Sequence, residues 1–576
     1  MKESYTTNRF YREFLYPQLP VAAFLSLLSV IVTLGGLVMP WGLKIIIDDC
    51  IPQGNMRTVA LMCGVLLAIL AGKFLVEFFR DLISYRTVET IIRQVRERAH
   101  GHLITIPFRE SMRWTTGECI SRLVSDTDAL NRFLVTALSD FFTAVVMVVS
   151  ILCIMAYISP KLTVIACLFF PFFIIFYRLY SGRLKGNAKN VREFMAHITN
   201  SITESFQGIR VIKGYGLYEK VRSRFHTVVS DYMNAAVQMY RTRTVLWLTA
   251  ELIAYSGILL LLYFSVQNIF AGTMSAGGLV AFYTYISMLF TPVVHIISIS
   301  NEYHEAAASI DRLCELFSIM PEKEEQRHPA AAVPFTEEIR FDRVSFCYTE
   351  GVPVLTDISF RIRKGETVAF VGPSGAGKTT IVNLLLRFYL PAAGMITMDG
   401  VPLSSRPLEA YRQLFAMVLQ DDYLFSGTIR ENLCYGVSGV TDERMVAAAR
   451  AAYAHSFISR LPDGYETPLG ERGITLSGGE RQRLSIARAL LRDRAVVVFD
   501  EATAAVDAEV DVLIQNALKE ILRGRTSIII AHRLSTVQYA DRIIVLDRGS
   551  VQGEGNHAEL LRKNALYQRL YEGQRV

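Results

Sequence analysis

Apolar runs of about 20 residues, long enough to cross a bilayer as a helix, recur through the first half of the chain and are absent from the second. The pattern predicts six spans, over residues 21–47, 59–79, 141–158, 162–179, 245–266 and 279–297. Only residues 159–161 separate spans three and four, a hairpin spacing. Long mixed segments separate spans two and three, and again four and five. These segments carry scattered apolar residues with few Gly or Pro breaks, which predicts helix. They read as extensions of the membrane helices, turning back in short helices near 107–114 and 209–217. Past Leu316 the pattern changes. Residues 321–335 include the charged, Pro/Ala-rich stretch PEKEEQRHPAAAVP, a linker signal. Beyond it, strand-like runs at 339–346, 367–371 and 496–499 alternate with helical stretches. The expected architecture is multi-domain: an all-α, six-helix transmembrane domain over 1–320 with long cytoplasmic extensions, a linker over 321–335, and an α/β domain over 336–576.

Charge gives the orientation. The segment between spans two and three is rich in arginine from Arg86 to Arg132, and the next long segment adds Arg183, Lys185, Lys189, Arg192 and Arg210. The short loops on the other side carry little more than Arg57 and Lys161. By the positive-inside rule the long segments, both termini and everything after span six are cytoplasmic. Hydrophobic residues make up 51% of the chain and charged ones 20%, the average of a greasy half and an ordinary one. A net charge of +6, with Lys and Arg interleaved among acids, gives no case for a nucleic-acid partner. Eight cysteines without a CxxC read as free thiols rather than metal ligands or disulfides. The polar, mixed-charge N-terminus shows no cleavable signal.

The second half carries nucleotide chemistry. GPSGAGKTT, comprising Gly372, Pro373, Ser374, Gly375, Ala376, Gly377, Lys378, Thr379 and Thr380, follows the strand-like ETVAFV and opens a helical stretch. Glycines let a backbone fold around phosphates so that N–H groups and a helix N-terminus face the negative charge. Lys378 then reaches the β and γ phosphates, and Thr379 offers its hydroxyl to Mg²⁺. VVVFDE supplies an apolar strand that ends in Asp500, a second Mg²⁺ partner, and Glu501, a carboxylate placed to polarise water. An apolar run ending in acids is often just a strand reaching solvent; here its companion motifs favour the chemical reading.

LSGGE (Leu476 to Glu480) followed by RQRLSIARAL resembles the signature of ATP-binding cassette transporters, and the chain looks like a half-size exporter of the bacterial multidrug and lipid group, with the type IV exporter fold. The resemblance covers nearly the whole length, and it makes the second domain an α/β P-loop NTPase. It implies that Ser477, Gly478, Gly479 and Glu480 cap the γ-phosphate of ATP held by a second copy of the chain. The family more often has Gln where Glu480 stands. Tyr348 matches the aromatic that stacks on adenine, Gln420 the residue linking Mg²⁺ and water to the membrane domain, and His532 the switch histidine at the γ-phosphate. Asp507 matches the dimer-contact aspartate, although Ala504 stands where the family commonly has Ser. No catalytic position is degenerate, which favours a homodimer over a heterodimer. ATP and Mg²⁺ are the implied cofactors. The expected setting is a bacterial plasma or inner membrane, with the nucleotide-binding domain cytoplasmic.

What is moved is less legible. Lys73 and Glu77, four apart on one helix, are expected to pair with each other. Glu251 in span five and His295 in span six are candidates to line a substrate cavity, because ionisable groups inside spans are costly and often functional. Glu251 would favour cationic amphiphiles. The expected activity is ATP-driven export of small amphipathic or hydrophobic compounds, drug- or lipid-like, from the cytoplasm or inner leaflet. Import of a metal chelate or siderophore on the same fold, and peptide export, remain alternatives. A soluble cassette ATPase is disfavoured by the six spans, and an ATP-gated channel by the intact Glu501.

Overall fold

The computed structural model describes residues 5–322, 334–419, 423–470, 476–500, 508–531 and 534–573. Its contacts divide the chain into two units, Met1–Ile104 with Thr115–Ser318, and Thr105–Trp114 with Ile319–Val576.

The first unit is helical. Its main elements are Leu19–Ile45, continued by a wide turn to Cys50, then Met56–Thr105, the helical path Thr116–Ile158, Pro160–Gln207, Tyr218–Phe270 and Ala276–Ser318. At 1.5 Å per residue, the 53 residues of Tyr218–Phe270 reach about 80 Å, over twice the ~30 Å of a hydrocarbon core. Such helices must continue well beyond a bilayer. The breaks follow local chemistry. Ser159 is extended (φ −158°, ψ 104°) and Pro160 opens the next helix, where its missing N–H costs nothing. Gly208 separates Pro160–Gln207 from the short helix Ile209–Tyr215, which Gly216 closes at φ +66°. Pro107 precedes a short helix that belongs to the second unit, Phe108–Ser111.

Among the described residues, five segments are long and apolar enough to cross a membrane: Thr7–Cys50, Met56–Thr105, Thr116–Ile158, Tyr218–Phe270 and Ala276–Val293. The expected span 162–179 lies on Pro160–Gln207, where the side chains of 169–174 and 177 fall outside the described residues. Leu61, Leu67, Phe74 and Leu75 all stand exposed. Apolar surface so continuous suits lipid rather than water.

Several buried or half-buried polar groups in this unit have partners from distant parts of the chain or from the next helical turn. Tyr285 is fully buried beside Ile151, Met155 and Phe282, and its hydroxyl donates to the Leu37 carbonyl at 2.7 Å. The Asp48 carboxylate accepts from the Gly277 N–H (2.8 Å) and the Ser275 hydroxyl (2.5 Å) at the start of the last helix. A Cβ on Gly277 would lie 2.6 Å from the Lys44 carbonyl oxygen, so only glycine fits there. Lys73 and Glu77 pair at 2.9 Å, one helical turn apart. Farther along, the buried Asp126 carboxylate takes both oxygens' bonds from Arg312 Nε at 3.0 Å and a third from the Ser309 hydroxyl.

The second unit is an α/β domain. Its six-stranded sheet runs Ser550–Gly555, Arg542–Asp547, Thr367–Val371, Thr526–Ile530, Val496–Asp500, Phe415–Val418, and every pair but the first is parallel. The three central strands are buried along their whole length, as expected of parallel strands covered on both faces. Alternate residues feed two cores, Phe370, Val498 and Ile528 on one face, Ala369, Val497 and Ile529 on the other. An antiparallel sheet joins Leu355–Arg363, Glu338–Phe346, Ala393–Met398 and Val401–Pro402. The Thr105–Trp114 segment groups with this unit, and its Thr105 carbonyl accepts from the Glu322 N–H at 2.7 Å.

Candidate nucleotide site

The site grows from the centre of the sheet. Thr367–Val371, flanked by Thr526–Ile530 and Arg542–Asp547, ends in the glycine-rich loop, and the helix Lys378–Leu385 starts directly after it. Two glycines are sterically required. A Cβ on Gly372 would sit 2.2 Å from the Leu546 carbonyl oxygen. Gly377 caps the helix at φ +99°, and a Cβ there would meet Leu355 Cδ2 at 2.5 Å. The backbone can therefore approach a ligand closely, with the first N–H groups of the helix unspent.

Lys378 is only 5% exposed, and its ammonium donates to the Gly372 (2.8 Å) and Pro373 (3.0 Å) carbonyls. Burial pulls its pKa below the usual lysine range, with the charge of Asp500 opposing. Asp500, at the end of Val496–Asp500, is equally buried, and its Oδ1 has no hydrogen-bond partner. Burial lifts its carboxyl above the usual range, with Lys378 opposing. A buried carboxylate oxygen left unsatisfied is costly, and a hard cation would satisfy it. Among the described residues no three or more His, Cys, Asp or Glu gather as a protein-only metal site. Such a cation would complete its shell from Thr379, phosphate oxygens and water, the usual arrangement for Mg²⁺. Residues and group fit.

Tyr348 follows the strand Glu338–Phe346 and is 39% exposed. Its hydroxyl bonds Thr380 Oγ1 at 3.1 Å and accepts from Asn383 Nδ2 at 3.2 Å, which ties the ring to the helix of the glycine-rich loop. Sequence reading missed Asn383, an ordinary polar residue in that helix.

Ser477 is the N-cap of the helix Gly478–Arg492 in a capping box with Glu480. Glu480 Oε2 accepts from the Ser477 N–H (2.9 Å) and hydroxyl (2.8 Å), while the Glu480 N–H donates to Ser477 Oγ at 3.3 Å. The glutamate thus has a local structural job. The S-x-x-E spacing that signals it was present in the sequence. Arg488, two turns on, donates to the Asn432 carbonyl (3.0 Å) and side chain (3.1 Å), tying this helix to Ile429–Cys434.

Gln420, Glu501, Asp507 and His532 lie outside the described residues, as do residues 471–475 ahead of the signature. Glu251 and His295 are described and exposed, on Tyr218–Phe270 and Ala276–Ser318. His295 lies within electrostatic reach of Asp140. All eight cysteines are free.

Residues 23–293 match the family described as ABC transporter transmembrane region, and residues 355–504 the ABC transporter family. The chain is 32% identical over 544 residues, 93% of each protein, to the "Putative multidrug export ATP-binding/permease protein YgaD" of Bacillus subtilis (strain 168). It is 33% identical over 505 residues, 87% of each, to a protein of the same description from Staphylococcus aureus (strain NCTC 8325 / PS 47). Among solved structures, a bacterial Atm1-family ABC exporter with ATP bound is similar at a TM-score of 0.80 and 28% identity, covering 98% of this chain and 99% of that one.

Proposed function

The chain belongs to the ATP-binding cassette transporters, and from that membership we propose that it works as a homodimer that couples hydrolysis of two MgATP to export of drug- or lipid-like amphipathic compounds from the cytoplasm or inner leaflet. Its cassette binds ATP, and its apolar helices make it a membrane protein. The observation that carries the reading is the buried, unsatisfied Asp500 carboxylate at the end of a central strand, within electrostatic reach of the buried Lys378. That pair calls for a cation and an anion together, which MgATP brings.

In this reading the backbone N–H groups of residues 374–380 cradle the phosphates, and Lys378 leaves its two loop carbonyls to reach the β and γ phosphates. Thr379, Asp500 and Gln420 are the residues that would hold Mg²⁺, and the ion would supply neutralisation of phosphate charge there. Tyr348 stacks on adenine through its open face. Glu501 orients the attacking water, and His532 contacts the γ-phosphate. Ser477, Gly478 and Gly479 of the partner copy close over the γ-phosphate, aided by the N-terminal end of their helix. Asp507 contacts the partner across the same interface. Closure brings the cytoplasmic ends of the two membrane domains together, and hydrolysis releases them.

The setting that follows is a bacterial plasma or inner membrane with the cassette in the cytoplasm. Glu251 and His295 line the cargo path in this account, and the negative charge of Glu251 favours cationic amphiphiles. A screen for substrate-stimulated ATPase activity in lipid vesicles tests the proposal, with Glu501→Gln as the inactive control. Cationic amphiphiles should stimulate hydrolysis and accumulate inside inside-out vesicles. No stimulation by any amphiphile, or ATP-dependent movement out of such vesicles, would sink it.

A further inference from the structure

We propose that Arg483 is a positioning residue for the partner copy's nucleotide, a positive charge buried behind the signature turn that draws the γ-phosphate onto it. The inference rests on the reading that the signature closes over that phosphate. Its own observation is a buried guanidinium that the fold leaves short of hydrogen-bond acceptors.

Arg483 lies on the signature helix Gly478–Arg492 and is only 5% exposed. Its Nε and Nη1 make no hydrogen bond among the described residues. Two other arginines of the helix are placed differently. Arg481 donates to the Leu476 carbonyl at 2.6 Å, and Arg488 to the Asn432 carbonyl at 3.0 Å. The Arg483 guanidinium instead lies over the Phe457 ring, 5.3 Å from its centroid, and that ring belongs to the apolar core. A ring face attracts a cation without supplying the acceptors its N–H groups lack. Burial pulls the pKa of Arg483 below the usual arginine range, with the charge of Glu480 opposing and that of Arg460 adding to the fall. Arginine does not shed its proton as a buried lysine can, so the charge stays.

The charge sits where an anion in front of the helix would feel it. Glu480, in the first turn and one turn before Arg483, lies within electrostatic reach of it. Helical side chains also lean towards the N-terminus. The Glu480 carboxylate is turned to Ser477 instead, accepting from its N–H and hydroxyl at 2.9 and 2.8 Å. In an interior of low dielectric a charge acts with little screening. The N-terminus of a helix already carries about half a positive charge, and the guanidinium behind it reinforces the pull on an arriving anion. What relieves the buried charge is then the triphosphate held by the partner copy. One residue thus weakens the nucleotide-free fold and strengthens closure.

The test is a pair of measurements on the full-length protein in lipid nanodiscs: KM for ATP, and the melting temperature without nucleotide by scanning calorimetry. Arg483→Met keeps much of the volume and removes the charge. It should raise KM by about three- to tenfold, the scale of charge effects at a partly buried helix end. It should nevertheless melt no lower than the wild type, because an apolar side chain replaces an unsatisfied charge. Arg483→Lys, which restores a charge, should keep the wild-type KM. An unchanged KM in Arg483→Met, or an equal rise in Arg483→Lys, overturns the proposal. So does a lower melting temperature or failure to fold in both Arg483→Met and the neutral Arg483→Gln, the mark of a merely structural arginine. Ser477→Arg tells this failure from failure of the underlying reading. Blocked hydrolysis in that variant leaves the signature reading standing whatever Arg483 shows, whereas normal hydrolysis overturns both.

Discussion

Asp500 and Lys378 are two buried charges, each penalised by its burial and only partly relieved by the other. A carboxyl whose folded pKa is raised loses stability for the fold as pH climbs through that value, and the loss persists at neutral pH until a cation offsets it. Without nucleotide, Asp500→Asn should therefore melt higher than the wild type at pH 7, by about 2–4 °C for each kcal/mol relieved in a domain of this size. The gap should close as pH falls below the ordinary aspartate range, near about 3.9, where the wild-type carboxyl is neutral too. MgATP should reverse the order, because it stabilises only the chain that binds it. Scanning calorimetry with and without MgATP checks both signs. A variant that melts lower than wild type in the absence of ligand would show that the carboxylate is already satisfied.

The signature helix shows how one element serves both fold and chemistry. Its first turn is ordered by the Ser477–Glu480 capping box, and in the proposed reading the same turn faces the partner's γ-phosphate. Glu480→Gln should keep hydrolysis, since glutamine also completes the box. Glu480→Ala should lower stability by about 0.5–2 kcal/mol, read by chemical denaturation, and weaken ATP-dependent dimerisation with it. Loss of hydrolysis in Glu480→Gln would contradict this structural role. Elements of this kind were legible in the sequence because their determinants are local. Apolar length announced the membrane helices, Ser159 and Pro160 the hairpin, and the glycine spacing the phosphate loop. The Lys73–Glu77 pair was equally legible, one turn apart on a helix. What escaped depends on residues far apart in the chain. Asp126 meets Arg312 across 186 positions, and Phe108 meets Phe388 and Tyr389 through tertiary packing that no periodicity encodes. The place of Asp500 at the end of an apolar strand was readable, but its burial with an unsatisfied oxygen was not.

At the scale of the whole molecule, one chain carries a phosphate loop and a signature that in this account serve different nucleotides, each loop being completed by the other copy's signature. Two copies then hold two composite sites, and each site draws on both. Lys378→Ala should disable hydrolysis at the site where that chain supplies the loop, and Ser477→Arg should block closure at the site where that chain supplies the signature. Either variant as a homodimer has lesions in both sites. The most direct measurement is the ATPase activity of a heterodimer of Lys378→Ala and Ser477→Arg chains, isolated through two different tags. One site then carries both lesions and the other carries neither, so hydrolysis should reappear although each homodimer is inactive. A purified heterodimer as inactive as its two parents would contradict the account, because lesions confined to each chain's own site leave nothing to restore.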